Sequence, residues 1–142
     1  MRKEVNHNQV KDTLIRLDLV ESKKDELVDM VESFIEEREK KYGDKAIPEE
    51  SNKGLGNTQF QDLVGKASST RSVREIINFI KYQIGRDKNR NGWGNNNFGE
   101  DVIKKIDEVL KMAGSDPELR IQLVRLFLGY LQRHVRFVRA VK

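Results

Sequence analysis

Three cations and an amide recur at helical spacing early in the second half of the chain. Arg71, Arg74, Asn78 and Lys81 fall on one side of a helix that opens after Thr70, and Arg86 and Lys88 carry the charge onward. Guanidinium and ammonium groups in that pattern suit phosphate oxygens. The free N–H groups of a helix N-terminus favour the same ligand. Arg71 and Arg74 would add charge-assisted contacts in the first turn. They oppose the helix dipole there, so helix stability does not account for them.

A second basic group lies at the C-terminus. Residues 118–142 hold five arginines and Lys142 against one acid, Glu118. Arg125, Arg136 and Arg139, with Gln132, form a narrow polar stripe, and Arg133 sits at its edge. Two destinations fit them: a phosphate backbone, or the acidic stretch 21–50 of this chain or a neighbour. The opposite side is a broad apolar arc of Leu119, Leu123, Leu126, Phe127, Tyr130, Leu131, Phe137, Val138 and Val141. That arc is wider than one helix contact needs, so this helix is expected at the centre of the fold or against a partner. Leu123, Phe127, Tyr130, His134, Phe137 and Val141 also repeat with 4-3 spacing and are the expected interface seam. His134 falls among them as a packing residue. With His7 the only other histidine, the chain cannot build a histidine-rich acid–base or metal cluster.

Residues 85–99 are rich in asparagine and glycine. A flexible basic loop bearing Trp93 and Phe98 could clamp a single strand by charge and stacking. Asp87, Asn89, Asn91 and Gly92 also copy the first half of a calcium-binding loop. The copy fails at position 12, where Phe98 replaces the bidentate glutamate, and Lys88 and Arg90 repel the cation. A plain irregular loop is the third reading.

No P-loop, nucleophile elbow or His-Glu-x-x-His motif is present. Without cysteine, thiolate metal sites, disulfides and cysteine nucleophiles are excluded. The expectation is a non-catalytic protein with no cofactor and no metal. The N-terminus lacks the apolar core of a signal peptide, and no apolar run approaches the ~20 residues that span a bilayer. A cytoplasmic protein without membrane contact follows as an expectation.

Net charge is +4, unevenly spread. Residues 21–50 hold 11 acids against 6 bases, whereas residues 51–99 hold 8 bases against 3 acids. An acidic stretch thus precedes basic ones, a polarity suited to a polyanion or to self-association. Around these charges the pattern predicts an all-α fold. One helix is capped by Asn8, and a second is opened by Ser22 and closed by Gly43. A short helix carries Phe60, Leu63 and Val64, and one capped by Ser69 or Thr70 bears an isoleucine stripe. A further helix starts at Glu100, supported by Glu100–Lys104, Asp101–Lys105 and Asp107–Lys111 pairs. Asp116-Pro117-Glu118 then opens the last. The whole is a single domain, 1–142, a compact bundle of five to six helices with two long flexible loops, about 43–57 and 85–99.

From Thr58 onward the pattern resembles the small subunit of the type III-A CRISPR interference (Csm) complex. Ser69-Thr70-Arg71-Ser72-Val73-Arg74-Glu75-Ile76-Ile77 is similar to that family's capped, arginine-bearing helix start. Phe127-Leu128-Gly129-Tyr130-Leu131-Gln132-Arg133-His134-Val135 is similar to its final aromatic helix. The resemblance implies a non-catalytic, all-helical subunit that contacts guide and target RNA through the backbone, without sequence choice. It implies other subunits of the interference complex as partners and a role in antiviral defence. Arg74 is the residue best carried over, and Arg71 the next. In isolation a homodimer or self-stacking chain is expected. The alternative is a homodimeric helical protein–protein module that binds no nucleic acid.

Overall fold

Five helices account for most of the chain in the computed structural model, which describes residues 6–51 and 54–141. They are α1 (His7–Tyr42), α2 (Asn57–Ser69), α3 (Val73–Arg86), α4 (Phe98–Ala113) and α5 (Pro117–Val141), with 3₁₀ turns at Gly43–Lys45 and Asn95–Asn97. No strand occurs among the described residues. The fold is all-α, as the periodicity predicts.

The expected break before Ser22 does not exist. α1 runs unbroken for 36 residues. It contains no glycine or proline, and the Ser22 hydroxyl donates back to the Leu19 carbonyl at 2.8 Å instead of capping a new start. Lys24–Glu21 and Lys23–Glu26 ion pairs bridge the supposed junction. The N-cap is Asn6, whose Oδ1 accepts from the Asn8 N–H at 2.9 Å. Gly43 ends the helix as expected, at φ 59°, a conformation glycine adopts without strain.

Ser72, not Ser69 or Thr70, caps α3, its Oγ accepting from the Glu75 N–H at 3.1 Å. Thr70 ends α2 and ties the corner: its Oγ1 accepts from the Ser72 N–H and donates to Glu75 Oε2 at 2.8 Å. α4 begins at Phe98, two residues before Glu100. Its first two acids reach outside the helix, although Asp101 also keeps Lys104 at 3.8 Å and Glu108 pairs with Lys105 at 3.0 Å. Asp101 meets Arg38 of α1, and Glu100 meets Arg90, instead of Lys105 and Lys104. Asp116 opens α5 as expected, Oδ1 accepting from the Glu118 N–H at 3.1 Å.

α5 is the central helix and packs against α1, α2 and α4. This explains its broad apolar arc. The buried side is turned from the expected one, however: Ile121, Val124, Leu128 and Val135 are buried beside Leu119, Leu123, Phe127, Leu131 and Val138, whereas Phe137 and Val141 are exposed. The rest of the core comes from Leu27, Val31, Phe34 and Ile35 of α1, with Phe60 and Leu63 of α2. Ile76 and Ile80 of α3 join Val102, Ile106 and Val109 of α4.

The segment between α3 and α4 is built around one carboxylate. Asp87 accepts from the N–H groups of Asn91, Gly92 and Gly94 at 3.2, 2.9 and 2.8 Å. That fold turns Trp93 and Phe98 inward, with exposures of 4% and 0%. Their rings join Phe60 and Phe34 in a cluster with centroid separations of 5.5–6.1 Å. Gly99 makes this possible. A Cβ there would lie 2.6 Å from Ile84 Cγ1 and 2.9 Å from the Trp93 carbonyl, which the Gly99 N–H contacts.

Candidate nucleic-acid interface

α3 places its apolar stripe against the core and its cations outward. Ile76 and Ile80 are buried, and Arg74, Asn78, Lys81 and Arg86 are exposed, as is Arg71, which precedes the Ser72 cap instead of lying in the first turn. The face survives intact because the one acid in the first turn is engaged elsewhere. Glu75 pairs with Lys66 of α2 and with the Thr70 hydroxyl, and these bonds hold its carboxyl below the usual carboxylate range. Among the described residues, Arg71, Arg74, Lys81 and Arg86 make no ion pair.

Arg74 and Lys81 stand two turns apart, about 10 Å along the helix axis. Both border an open groove between α3 and α4 of about 360 Å³, with Ile77 and Ile103 at its floor and Asp107 on the far side. Such spacing lets two cations meet separate phosphates of one strand, and the shallow form leaves base identity unread. Tyr82 stands beside Lys81, 60% exposed, with the Arg86 guanidinium carbon 5.6 Å from its ring centre. Sequence reasoning missed Tyr82. Only its place on the i, i+4 row of Arg74, Asn78 and Arg86 could have marked it.

The C-terminal arginines divide into two kinds. Arg125 is not a free cation: its Nε donates to the Ala67 carbonyl and its Nη2 to the Thr70 carbonyl, each at 2.8 Å. It satisfies the C-terminal carbonyls of α2. Arg139 is likewise withdrawn. Its Nη2 donates to the carbonyls of Pro48 (2.7 Å) and Leu55, its guanidinium lies over Phe60, and burial pushes its pKa down. These two expected phosphate contacts are therefore intramolecular clamps, directed by carbonyls more than 50 residues away in sequence. Arg133 and Arg136 are exposed. They lie roughly 12–17 Å beyond Arg125 along the α5 axis, past the point where α5 meets the start of α3. Lys142 lies outside the described residues.

The expected seam also divides. Leu123 and Phe127 are fully buried, because the chain's own helices surround that part of α5, so neither is available to a partner. Tyr130 and His134 are half-buried, and Phe137 and Val141 are exposed, with the His134 and Phe137 rings stacked at 6.2 Å. Lys24 of α1 lies within electrostatic reach of Tyr130, and Leu14 and Leu17 of α1 are exposed earlier on that helix.

The aromatic clamp read into residues 85–99 is excluded, because Trp93 and Phe98 are core residues. The calcium reading fails further, since the Asp87 carboxylate already accepts three backbone N–H groups. Among the described residues no group of three or more His, Cys, Asp or Glu side chains converges to hold a metal ion, and no helix is long and apolar enough to cross a membrane. No protein-family model, curated protein or solved structure matches the chain.

Proposed function

We propose that the chain is a non-catalytic RNA-binding subunit of a larger assembly, gripping the RNA backbone without reading its sequence. The observation that carries this reading is the α3 face. Arg71 and Arg74 at the start of α3, Lys81 in its middle and Arg86 at its end are all exposed, while the neighbouring acid, Glu75, is held by Lys66 and Thr70. These cations repel each other, and Arg71 and Arg74 also oppose the dipole at the N-terminal end, a cost that a polyanion removes. The resemblance to the small subunit of the type III-A CRISPR interference complex supports the same reading. It names guide and target RNA as ligand, neighbouring subunits as partners, and antiviral defence as the setting.

The test is RNA affinity as a function of salt. A labelled RNA should bind at low salt and weaken steeply as salt rises, because binding releases counterions from the phosphates. Arg71→Glu with Arg74→Glu should weaken binding at least tenfold with the helical circular dichroism unchanged, and each lost phosphate contact should lower the salt slope by about one. Absence of binding at low salt, or binding indifferent to salt, overturns the proposal. Copurification from native cells with a guide RNA and partner proteins would identify the assembly.

A second reading is self-association, favoured by the exposure of Phe137 and Val141 on α5 and of Leu14 and Leu17 on α1. Sedimentation of the wild-type chain against Phe137→Asp tests it. Phe127 is unsuitable, since a polar side chain there would disrupt the core.

A further inference from the structure

Most aromatic rings of this chain are built into its interior. Among the described residues only Tyr82 and Phe137 are strongly exposed aromatics, and only Tyr82 shares a helix face with the α3 cations. Its ring contributes nothing to the buried core. The Arg86 guanidinium stands 5.6 Å from the ring centre. Gly85, between them in sequence, has no atom within 4 Å of where a Cβ would project, so the surface beside the pair is open. Lys81 precedes Tyr82, Asn78 lies one turn back, and Arg74 a further turn back. The face therefore offers a line of phosphate-binding groups that ends on a planar, electron-rich surface backed by a cation.

A duplex could use only the cations. Its bases are stacked inside the helix, and an A-form duplex presents phosphates and 2′-hydroxyls to a flat surface. A single strand could use both parts, its backbone following Arg74 and Lys81 while one unstacked base lies on the Tyr82 ring. We infer that the α3 face is a single-strand site that holds one base on Tyr82, with Arg86 behind it. This rests on the RNA-binding reading above and narrows its ligand from RNA in general to RNA with an unpaired base.

Anisotropy titrations with the full chain test it, using one short single-stranded RNA, the same strand annealed to its complement, and the same strand with abasic positions. The single strand should bind about tenfold tighter than either of the others, the size of one base–aromatic stack. Tyr82→Leu should remove that preference and leave affinity for the duplex unchanged. Tyr82→Trp should keep it, and the emission of the new indole should fall when the single strand is added. Trp93, the only native tryptophan, is buried and supplies a constant background.

Equal binding of the three RNAs, or full preference retained in Tyr82→Leu, overturns the inference. If Arg74→Glu still abolishes that binding, the RNA-binding reading stands without it. If the wild-type chain binds none of the three at low salt, both fall together.

Discussion

Arg38 of α1 donates to the Asp101 carboxylate of α4 at 2.6 Å across 63 residues of sequence. The guanidinium is 3% exposed, lies 4.9 Å from the Tyr42 ring centre and 5.0 Å from that of Phe98, and also donates to the carbonyls of Ala46 and Asn96. Burial pushes its pKa down and Asp101 opposes that push. One side chain thus fastens α1, the following 3₁₀ turn, the segment before α4, and α4 itself. Removing its partner leaves a buried charge short of compensation. Asp101→Asn should cost about 3 kcal/mol, tempered by the partial exposure of Asp101, and should lower the denaturation midpoint measured by circular dichroism.

The two kinds of C-terminal arginine should separate by stability. Arg139→Ala frees the carbonyls of Pro48 and Leu55 and exposes Phe60, so a loss of about 2 kcal/mol is expected. Arg136→Ala should change stability by less than about 0.5 kcal/mol. Urea unfolding of both variants makes the comparison, and equal losses would contradict the assignment of Arg139 as a clamp.

Gly99→Ala should destabilise by about 1–3 kcal/mol, because the added methyl must displace Ile84 or the Trp93 carbonyl in a packed interior. The red shift of Trp93 emission should appear at lower denaturant concentration than in the wild-type chain. Gly85→Ala, where nothing lies within 4 Å, is the control.

Acid should loosen two corners. The Arg16 guanidinium, donating at 2.9 Å, holds the Asp116 carboxyl below its ordinary value, and Lys66 with Thr70 does the same for Glu75. Lowered folded-state values mean that the unfolded chain binds protons first. The stabilisation is therefore complete above the usual carboxylate range near pH 4 and is lost as pH falls through the depressed values. Asp116→Asn keeps a competent N-cap but removes the ion pair. A flatter fall of Tm with acidity than in the wild-type chain is the expected outcome.

Local rules made α2 to α5 legible. Phe60 with Leu63, the isoleucine stripe, Ile106 with Val109, and Asp116-Pro117-Glu118 each carry their signal within a few residues. Caps misled where several neighbours were competent, as with Ser69, Thr70 and Ser72. The exposure of the charges Arg71, Arg74 and Lys81 was legible in the sequence. The withdrawal of Arg125 and Arg139 was illegible, because their partners are backbone carbonyls brought near only by the tertiary fold. Trp93 and Phe98 were misread because a glycine- and asparagine-rich segment looks open. Its folding depends on one carboxylate, Asp87, reaching three N–H groups, and no periodicity announces that.

The unbroken length of α1 divides one helix into two regimes of motion. At 1.5 Å per residue its 36 residues extend about 54 Å, against about 37 Å for the 25 of α5. Buried side chains on it begin only at Leu27, whereas Val10, Leu14, Ile15, Leu17 and Leu19 face solvent. Hydrogen bonds near its start can open by fraying, without disturbing the core. Those between Leu27 and Arg38 can open only with the whole bundle. Amide exchange along this helix should therefore slow progressively from its N-terminal end to the depth of Arg38, a gradient of protection set by side-chain burial while the backbone geometry stays the same.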